Sequence, residues 1–166
     1  MNGLFYMLVN FVILGLLSLS TLSADDDYKI PPKAIADLVD APVTPSINLS
    51  PDKKHLLILE RTSLPSIAEL SQPELRLAGL RINPKTNGRS RTNNYKSIII
   101  KNIDSNKEKK VRGLPKSSHI SNVFWAPNGK HIAISVINDD RINLYLADAK
   151  NGKAKLLIKK PLNAIY

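Results

Sequence analysis

Short apolar runs separated by polar turns dominate the chain from about residue 46 onward and predict an all-β structure. Ile47 and Leu49 precede the polar sequence SPDK at residues 50–53, and a continuous apolar run follows at residues 56–59. Proline presets the first dihedral of a turn, and aspartate tolerates the position after it. The pattern therefore predicts a hairpin of two strands, the second of them buried.

The same pattern returns about 76 residues later, so the chain contains an internal repeat. Val123 and Trp125 precede the sequence APNG at residues 126–129, and a second apolar run follows at residues 132–136. Two more strands are predicted after it, in the sequences RINLYLAD and AKLLI. Four short strands in about 40 residues are typical of one propeller blade. Trp125 occupies a position expected to pack in the core of that blade.

The first copy of the repeat is interrupted by an insert at residues 61–94. Within the insert, Ser71 and Glu74 have the spacing of a capping box before the sequence LRLA and Gly79, which predicts a helix of about two turns. The following sequence, NPKTNGRSRTNNY, is polar and rich in turn residues, and it predicts an exposed loop. A closed propeller needs about 4 to 8 blades, and this chain has material for about two. The predicted fold is an incomplete, all-β propeller with a short helical insert.

The N-terminal segment has the pattern of a secretory signal. Residues 4–17 are apolar except for Asn10, small residues follow, and three aspartates begin at Asp25. We predict a signal peptide at residues 1–24, a proline-rich lead-in at 25–45 and a partial propeller at 46–166. The lead-in includes an amphipathic stretch at residues 34–39. The predicted location is periplasmic or extracellular. The alternative is an uncleaved membrane anchor at residues 4–22, since no Lys or Arg precedes the apolar run.

Charge and composition narrow the possible chemistry. The first 24 residues carry no charged side chain, so the formal net charge of +10 belongs entirely to the remainder. The basic residues are scattered, without interleaved aromatic residues or a recognition helix, and we expect no nucleic-acid partner. The chain has no cysteine, and its three histidines show no ligand spacing. No metal site and no cofactor are therefore predicted.

No catalytic residue is predicted from the motifs. An α/β-hydrolase places its serine in a Gly-x-Ser-x-Gly elbow, and the nearest sequence here, at residues 88–91, lacks the closing glycine. The insert instead supplies Arg81, Arg89 and Arg91 as candidate substrate-binding residues. Guanidinium groups bind carboxylates in a bidentate fork, so these arginines form either an anion clamp or a solvated basic loop.

Several stretches together resemble one peptidase family. They are YKIPP, DLVDAP, LSPDKKHLLILERTSLPSIAEL, LAGLRINP, GRSR with Tyr95 soon after, and FWAPNGKHIAIS. From Tyr28 to Tyr166 the chain resembles the N-terminal β-propeller region of glutamyl endopeptidase-like enzymes, which are serine peptidases of the prolyl oligopeptidase family. The wording of the insert is more specific than the proline-turn repeat, which many TolB-like propellers share.

The resemblance implies a role in controlling access to a catalytic site. In that family the propeller caps a C-terminal α/β-hydrolase domain with a Ser-Asp-His triad and restricts entry to short or unstructured peptides. The implied partners are that hydrolase domain and a peptide substrate. No residue of this chain matches the family's triad, so the chain alone is expected to be inactive. The alternative is a non-enzymatic propeller fragment of the cell envelope that binds a protein or polymer partner.

Overall fold

The computed structural model describes residues 30–116 and 119–163 of the chain. The chain divides into two compact units, Met1–Asp37 and Leu38–Tyr166. The predicted signal segment and the three aspartates lie outside the described residues. Helix α1 (Lys33–Val39) forms where the amphipathic stretch was predicted, with an ion pair of 2.6 Å between the Lys33 ammonium and Asp37. None of its side chains is buried.

The rest of the described structure is almost entirely β. Helix α2 (Ile67–Leu70) is a single turn within the insert. Eleven strands are present in the described residues: β1 (Ser46–Leu49), β2 (His55–Arg61), β3 (Leu75–Leu77), β4 (Leu80–Asn83), β5 (Gly88–Arg89), β6 (Tyr95–Asn102), β7 (Glu108–Lys110), β8 (His119–Trp125), β9 (His131–Ile137), β10 (Ile142–Asp148) and β11 (Ala154–Leu156).

Eight of these strands form two antiparallel meanders of four strands each. Blade 1 has the order β1-β2-β6-β7, and blade 2 has the order β8-β9-β10-β11. Only one residue pair, Tyr95 with Ile120, joins β6 of blade 1 to β8 of blade 2 in the described structure. The fold is therefore an incomplete all-β propeller, as the sequence predicted.

The two copies of the repeat form equivalent turns. The Ser50 N–H donates to the His55 carbonyl over 2.9 Å, and the Ala126 N–H donates to the His131 carbonyl over 2.8 Å. Lys53 and Gly129 occupy the same turn position, and both have a positive φ, 58° and 67°. The turn geometry is thus set by local sequence and tolerates lysine where the second copy uses glycine.

The core lies between the inner faces of the two blades. Alternate residues of β2 and β6 point to this face in blade 1, and alternate residues of β8, β9 and β10 do so in blade 2. The buried cluster includes Leu57, Leu59, Ile98, Ile100, Val123, Ile132, Ile134, Val136 and Ala147. Trp125 packs against this cluster as predicted, and its Nε1–H donates to the Asn48 carbonyl of blade 1 over 3.4 Å.

Backbone hydrogen bonds also tie the outer parts of the blades together. The Arg112 N–H donates to the Gly152 carbonyl over 2.8 Å, and the Ala154 N–H donates to the Arg112 carbonyl over 2.7 Å. Gly113 has a φ of +93°, and a Cβ there would lie 2.4 Å from the Ala154 carbonyl oxygen. Only glycine fits this close approach.

The prediction of a helix after Ser71 is wrong. Ser71 instead ends α2, whose capping box uses Ser66 and Glu69, and residues 75–77 form strand β3. The turn at Ala78 and Gly79 has φ values of 46° and 82°, which suits a two-residue hairpin between β3 and β4. A hairpin forms because Leu-Arg-Leu and Leu-Arg-Ile alternate apolar and basic residues on both sides of that turn.

The predicted exposed loop at residues 83–95 is also only partly correct. Strand β5 pairs with β4, so the insert forms a three-stranded sheet, β3-β4-β5. Thr86 and Gly88 are buried, because this part of the insert packs against Ile142 of blade 2. The insert is thus a small folded element on the blades.

Apolar side chains remain on the outward faces of both blades. Phe124 alternates with the core residues of β8 and is 62% exposed, and Ile47, on the outward face of blade 1, is 65% exposed. Sheets with uncovered apolar faces tend to associate, although the high net charge opposes this. In a closed propeller, neighbouring blades would cover both faces.

We predict that residues 25–166 produced alone are partly unfolded, oligomeric or aggregated. Replacing Phe124 and Ile47 together with serine should raise the monomeric fraction in sedimentation velocity, because it removes apolar surface from both outward faces. The control is Leu64→Ser, since Leu64 is 67% exposed but lies in the insert. If the unsubstituted chain were a cooperatively folded monomer, the prediction would be contradicted.

Candidate functional site

A cleft of about 230 Å³ lies between the insert and the turn that joins β9 to β10. We call it the insert cleft. The close contact of Gly88 with blade 2 positions the insert beside this turn, because a Cβ at Gly88 would lie 2.5 Å from Ile142 Cδ1. Its charged or titratable lining residues are Arg61, Glu69, Arg89, Arg91, His119 and Asp139.

Glu69 connects the insert to blade 2 at one wall of the cleft. One of its carboxylate oxygens lies 3.3 Å from His119 Nδ1, and the other accepts the Ser66 N–H of the capping box over 2.7 Å. Burial alone would raise the pKa of Glu69, but the hydrogen bonds from Ser66 outweigh it, and the pKa lies below its ordinary value. Glu69 is therefore ionised at neutral pH.

Glu74 is the charge centre of the insert. Its side chain is only 11% exposed, and Arg76 Nε, Arg81 Nη1 and Arg91 Nε approach its two oxygens to 3.1, 3.0 and 3.2 Å. The Ser90 hydroxyl donates to the same carboxylate over 3.2 Å. Burial would raise the pKa of Glu74, but these donors outweigh it, and the pKa is lowered.

The three candidate arginines have different positions. Arg81 and Arg91 do clamp a carboxylate, but it is the chain's own Glu74. Arg91 also lines the insert cleft, as does Arg89 on β5, whereas Arg81 does not. The structure brings Arg89 and Arg91 together at one cleft and assigns Arg81 to the support of the insert.

Sequence reasoning missed two residues of this site. Glu74 is the only acidic residue between Glu69 and Asp104, and the same stretch contains seven Lys and Arg residues. This excess of basic residues around one carboxylate was the available signal for an internal ion pair. Arg61 at the end of β2 was also missed, because nothing in its local sequence shows that it faces the cleft. Its Nε is buried without a hydrogen-bond partner in the described structure.

The lining of the insert cleft suits the binding of an anion. Arg61, Arg89 and Arg91 line it together with the carboxylates of Glu69 and Asp139, and guanidinium groups bind carboxylates with directional hydrogen bonds. Among the described residues, no group of three His, Cys, Asp or Glu side chains is arranged to hold a metal ion.

Curated relatives match most of the chain. A protein of Oryza sativa subsp. japonica named "Probable glutamyl endopeptidase, chloroplastic" is 40% identical over an alignment of 157 residues, which covers 87% of this chain and 17% of that protein. A protein of Arabidopsis thaliana with the same name is 36% identical, over 92% of this chain and 18% of that protein. Over most of its length the chain is similar to proteins named as probable glutamyl endopeptidases. The resemblance identified from the sequence is thus confirmed.

The matches cover only a small part of each relative. The chain spans less than a fifth of the length of the glutamyl endopeptidases that it matches, 17% and 18%. No protein-family profile matches the chain. A crystal structure of a Bacteroides ovatus protein assigned as a dipeptidyl aminopeptidase IV matches with a TM-score of 0.43 and 17% identity, over 72% of this chain and 18% of that one.

We predict that Glu74→Gln destabilises the insert at neutral pH and much less in acid. The folded-state pKa of Glu74 lies below its ordinary value of 4.5, so the ionised carboxylate stabilises the fold above that pH. This stabilisation is lost as the pH falls through the folded-state pKa. Thermal unfolding of the monomeric fraction, isolated by size-exclusion chromatography and followed by circular dichroism at pH 7 and at about pH 2.5, measures the effect.

The matched control for this experiment is Glu108→Gln. Glu108 is 48% exposed and has a single ion pair in the described structure, with Lys101 at 3.2 Å, so its loss should change the midpoint far less at pH 7. If the gap between Glu74→Gln and the unsubstituted chain stayed the same in acid, the ion pairs with Glu74 would not be its source.

Proposed function

We propose that the chain is the substrate-gating propeller portion of an exported serine peptidase of the prolyl oligopeptidase family. The observation that carries the proposal is the 40% identity to a probable glutamyl endopeptidase over 87% of the chain, together with the two propeller blades formed between Ser46 and Leu156. In this proposal the catalytic Ser-Asp-His triad belongs to an α/β-hydrolase domain outside this chain, and that domain is the principal partner of the blades.

The motifs of the sequence support gating rather than catalysis. Acyl transfer needs an activated nucleophile and hydrogen-bond donors for the oxyanion, and a hydrolase of this class places its serine in a Gly-x-Ser-x-Gly elbow. This chain contains no such sequence. Its contribution is to limit which peptides reach a catalytic centre, not to cleave them.

The insert cleft is the part of the chain that we assign to peptide contact. Arg89 and Arg91 line it, and Arg81 contributes indirectly by holding the Glu74 carboxylate on which Arg91 is positioned. Arg61, with its buried Nε, adds a third guanidinium to the lining. A carboxylate on a peptide is the group that this set of donors fits best.

A non-enzymatic role in the cell envelope is the second candidate. The exposure of Phe124 and Ile47 on the two outward faces favours it, because surfaces of this kind are typical of protein-binding sites. In that case the outward faces would bind a protein or polymer partner directly.

The purified 166-residue chain should not hydrolyse glutamyl or prolyl peptide substrates. The test is a fluorogenic peptide assay on the purified chain, combined with sequencing of the coding DNA beyond the Tyr166 codon. A downstream Gly-x-Ser-x-Gly with later Asp and His supports the peptidase, whereas further blades followed by a stop codon support the second candidate. Hydrolysis that persists through rigorous purification would contradict the proposed role.

We further predict that export removes the first 23 or 24 residues. In the described residues, no helix has both the length and the apolar character needed to cross a membrane. The apolar run at residues 4–17 is followed at once by small residues and aspartates, as at a signal-peptidase site. Mass spectrometry of the mature N-terminus should find Ala24 or Asp25 first. Recovery of intact Met1 in the membrane fraction would favour the anchor.

A further inference from the structure

A second cleft, of about 500 Å³, lies at the other end of the strands. We call it the turn cleft. His55, at the start of β2, lines the turn cleft, and Arg61, at the end of the same strand, lines the insert cleft. Seven residues of extended strand separate the two by about 20 Å. The turn cleft is therefore distinct from the insert cleft.

The turn cleft is built by both blades. Blade 1 contributes the turn after β1 and the turn between β6 and β7, and blade 2 contributes the turn after β8 and the turn after β10. Lys109 Nζ donates to the Lys150 carbonyl over 2.7 Å, which fixes one side of the rim across the two blades. The cleft consequently depends on the packing of one blade against the other.

Positive charge dominates the lining. Four lysines, Lys107, Lys109, Lys130 and Lys150, face two aspartates, Asp52 and Asp148, so these side chains have a net charge of 4 − 2 = +2.

Both aspartates already serve their own turns. Asp148 accepts the N–H groups of Lys150 and Asn151 over 2.7 and 3.1 Å. The Ser50 hydroxyl and the Lys54 N–H donate to Asp52 and lower its pKa, so it remains ionised.

None of these four lysines has a carboxylate partner among the described residues, and Lys109 is bound to the Lys150 carbonyl. In the part of the chain that the structure describes, Lys107, Lys130 and Lys150 form no ion pair within 4.0 Å, unlike the nearby Lys101, which pairs with Glu108 at 3.2 Å. All three are exposed, and they surround one concave surface. Several like charges around a cleft concentrate the positive potential there and attract a multiply charged anion.

The shape and chemistry of the cleft favour a polypeptide over a nucleic acid. Single-stranded nucleic acids are bound on aromatic side chains that stack with the bases, and none of the described residues lining the turn cleft is Phe, Tyr or Trp. Lysine ammoniums on flexible stems suit closely spaced carboxylates without fixed geometry. We propose that the turn cleft binds an acidic segment of a polypeptide, rich in glutamate or aspartate.

The test is binding of labelled octaglutamate, a peptide of eight glutamates, to the full chain immobilised at low density on a biosensor, which keeps the chains apart. The variant replaces Lys107, Lys130 and Lys150 with glutamine. The matched control replaces Lys85, Lys155 and Lys159, three exposed lysines outside the cleft, and so removes the same charge. We expect a loss of affinity of about tenfold for the cleft variant and about twofold or less for the control at low salt. Affinity should also fall as salt rises.

Three outcomes would overturn the proposal. Equal loss in both triple variants would mean that only the general charge of the chain matters. Equal binding of octaglutamine, the uncharged peptide of the same length, would remove the role of the carboxylates. An oligothymidylate of the same length that bound at least as tightly, with the same response to the variants, would assign the cleft to nucleic acid.

A second measurement does not depend on the folding of variants. Acetylation of lysines in the unsubstituted chain, read by mass spectrometry, should be slowed by octaglutamate at Lys107, Lys130 and Lys150 but not at Lys85. Equal acetylation rates with and without the peptide at the cleft lysines would also contradict the proposal. Neither measurement involves peptide hydrolysis, so the outcome is separate from the fate of the proposed gating function.

Discussion

The burial of the two inner blade faces against each other is the constraint on which the rest of the structure depends. Each blade is an antiparallel sheet whose alternate residues are apolar, and a sheet of this kind must cover that face with another layer. Leu57 and Ile98 of blade 1 and Ile132 and Ile134 of blade 2 are almost completely buried in the shared core. Both clefts lie at the ends of these packed strands, so the core fixes the distance between them.

Ion pairs, rather than buried apolar side chains, hold the insert together. Its sheet buries few apolar side chains, and the leucines of β3 remain exposed. Glu74 draws Arg76, Arg81 and Arg91 to one point, and the Ser66–Glu69 capping box with His119 fixes a second point on blade 2. These ion pairs and hydrogen bonds act over short distances. They hold the insert together, although it has little apolar core of its own.

The parts of the fold that local chemistry determines were predictable from the sequence. The repeated proline turns were found because Pro51 and Pro127 set the same dihedral in each copy. The helix after Ser71 was predicted wrongly because Ser66 and Ser71 both have the capping-box spacing, and the pairing of β3 with β4 decides between them. At the site, the candidate arginines were identified from their residue type. The roles of Glu74 and Arg61 were not identified, since they depend on contacts with residues distant in sequence.

The repeat supplies only part of the positive charge at the turn cleft. In each copy the turn is followed by the same pair, Lys54-His55 in blade 1 and Lys130-His131 in blade 2. Adjacent blades present the same turn at the same end, and both turns line the cleft, but of the two repeated lysines only Lys130 does so. The insert, in contrast, interrupts only blade 1 of the two described blades, since β9 and β10 are joined by a short turn. The described structure therefore has a basic cleft formed by turns of both blades at one end of the strands and, at the other end, a cleft between the insert of blade 1 and the β9–β10 turn of blade 2.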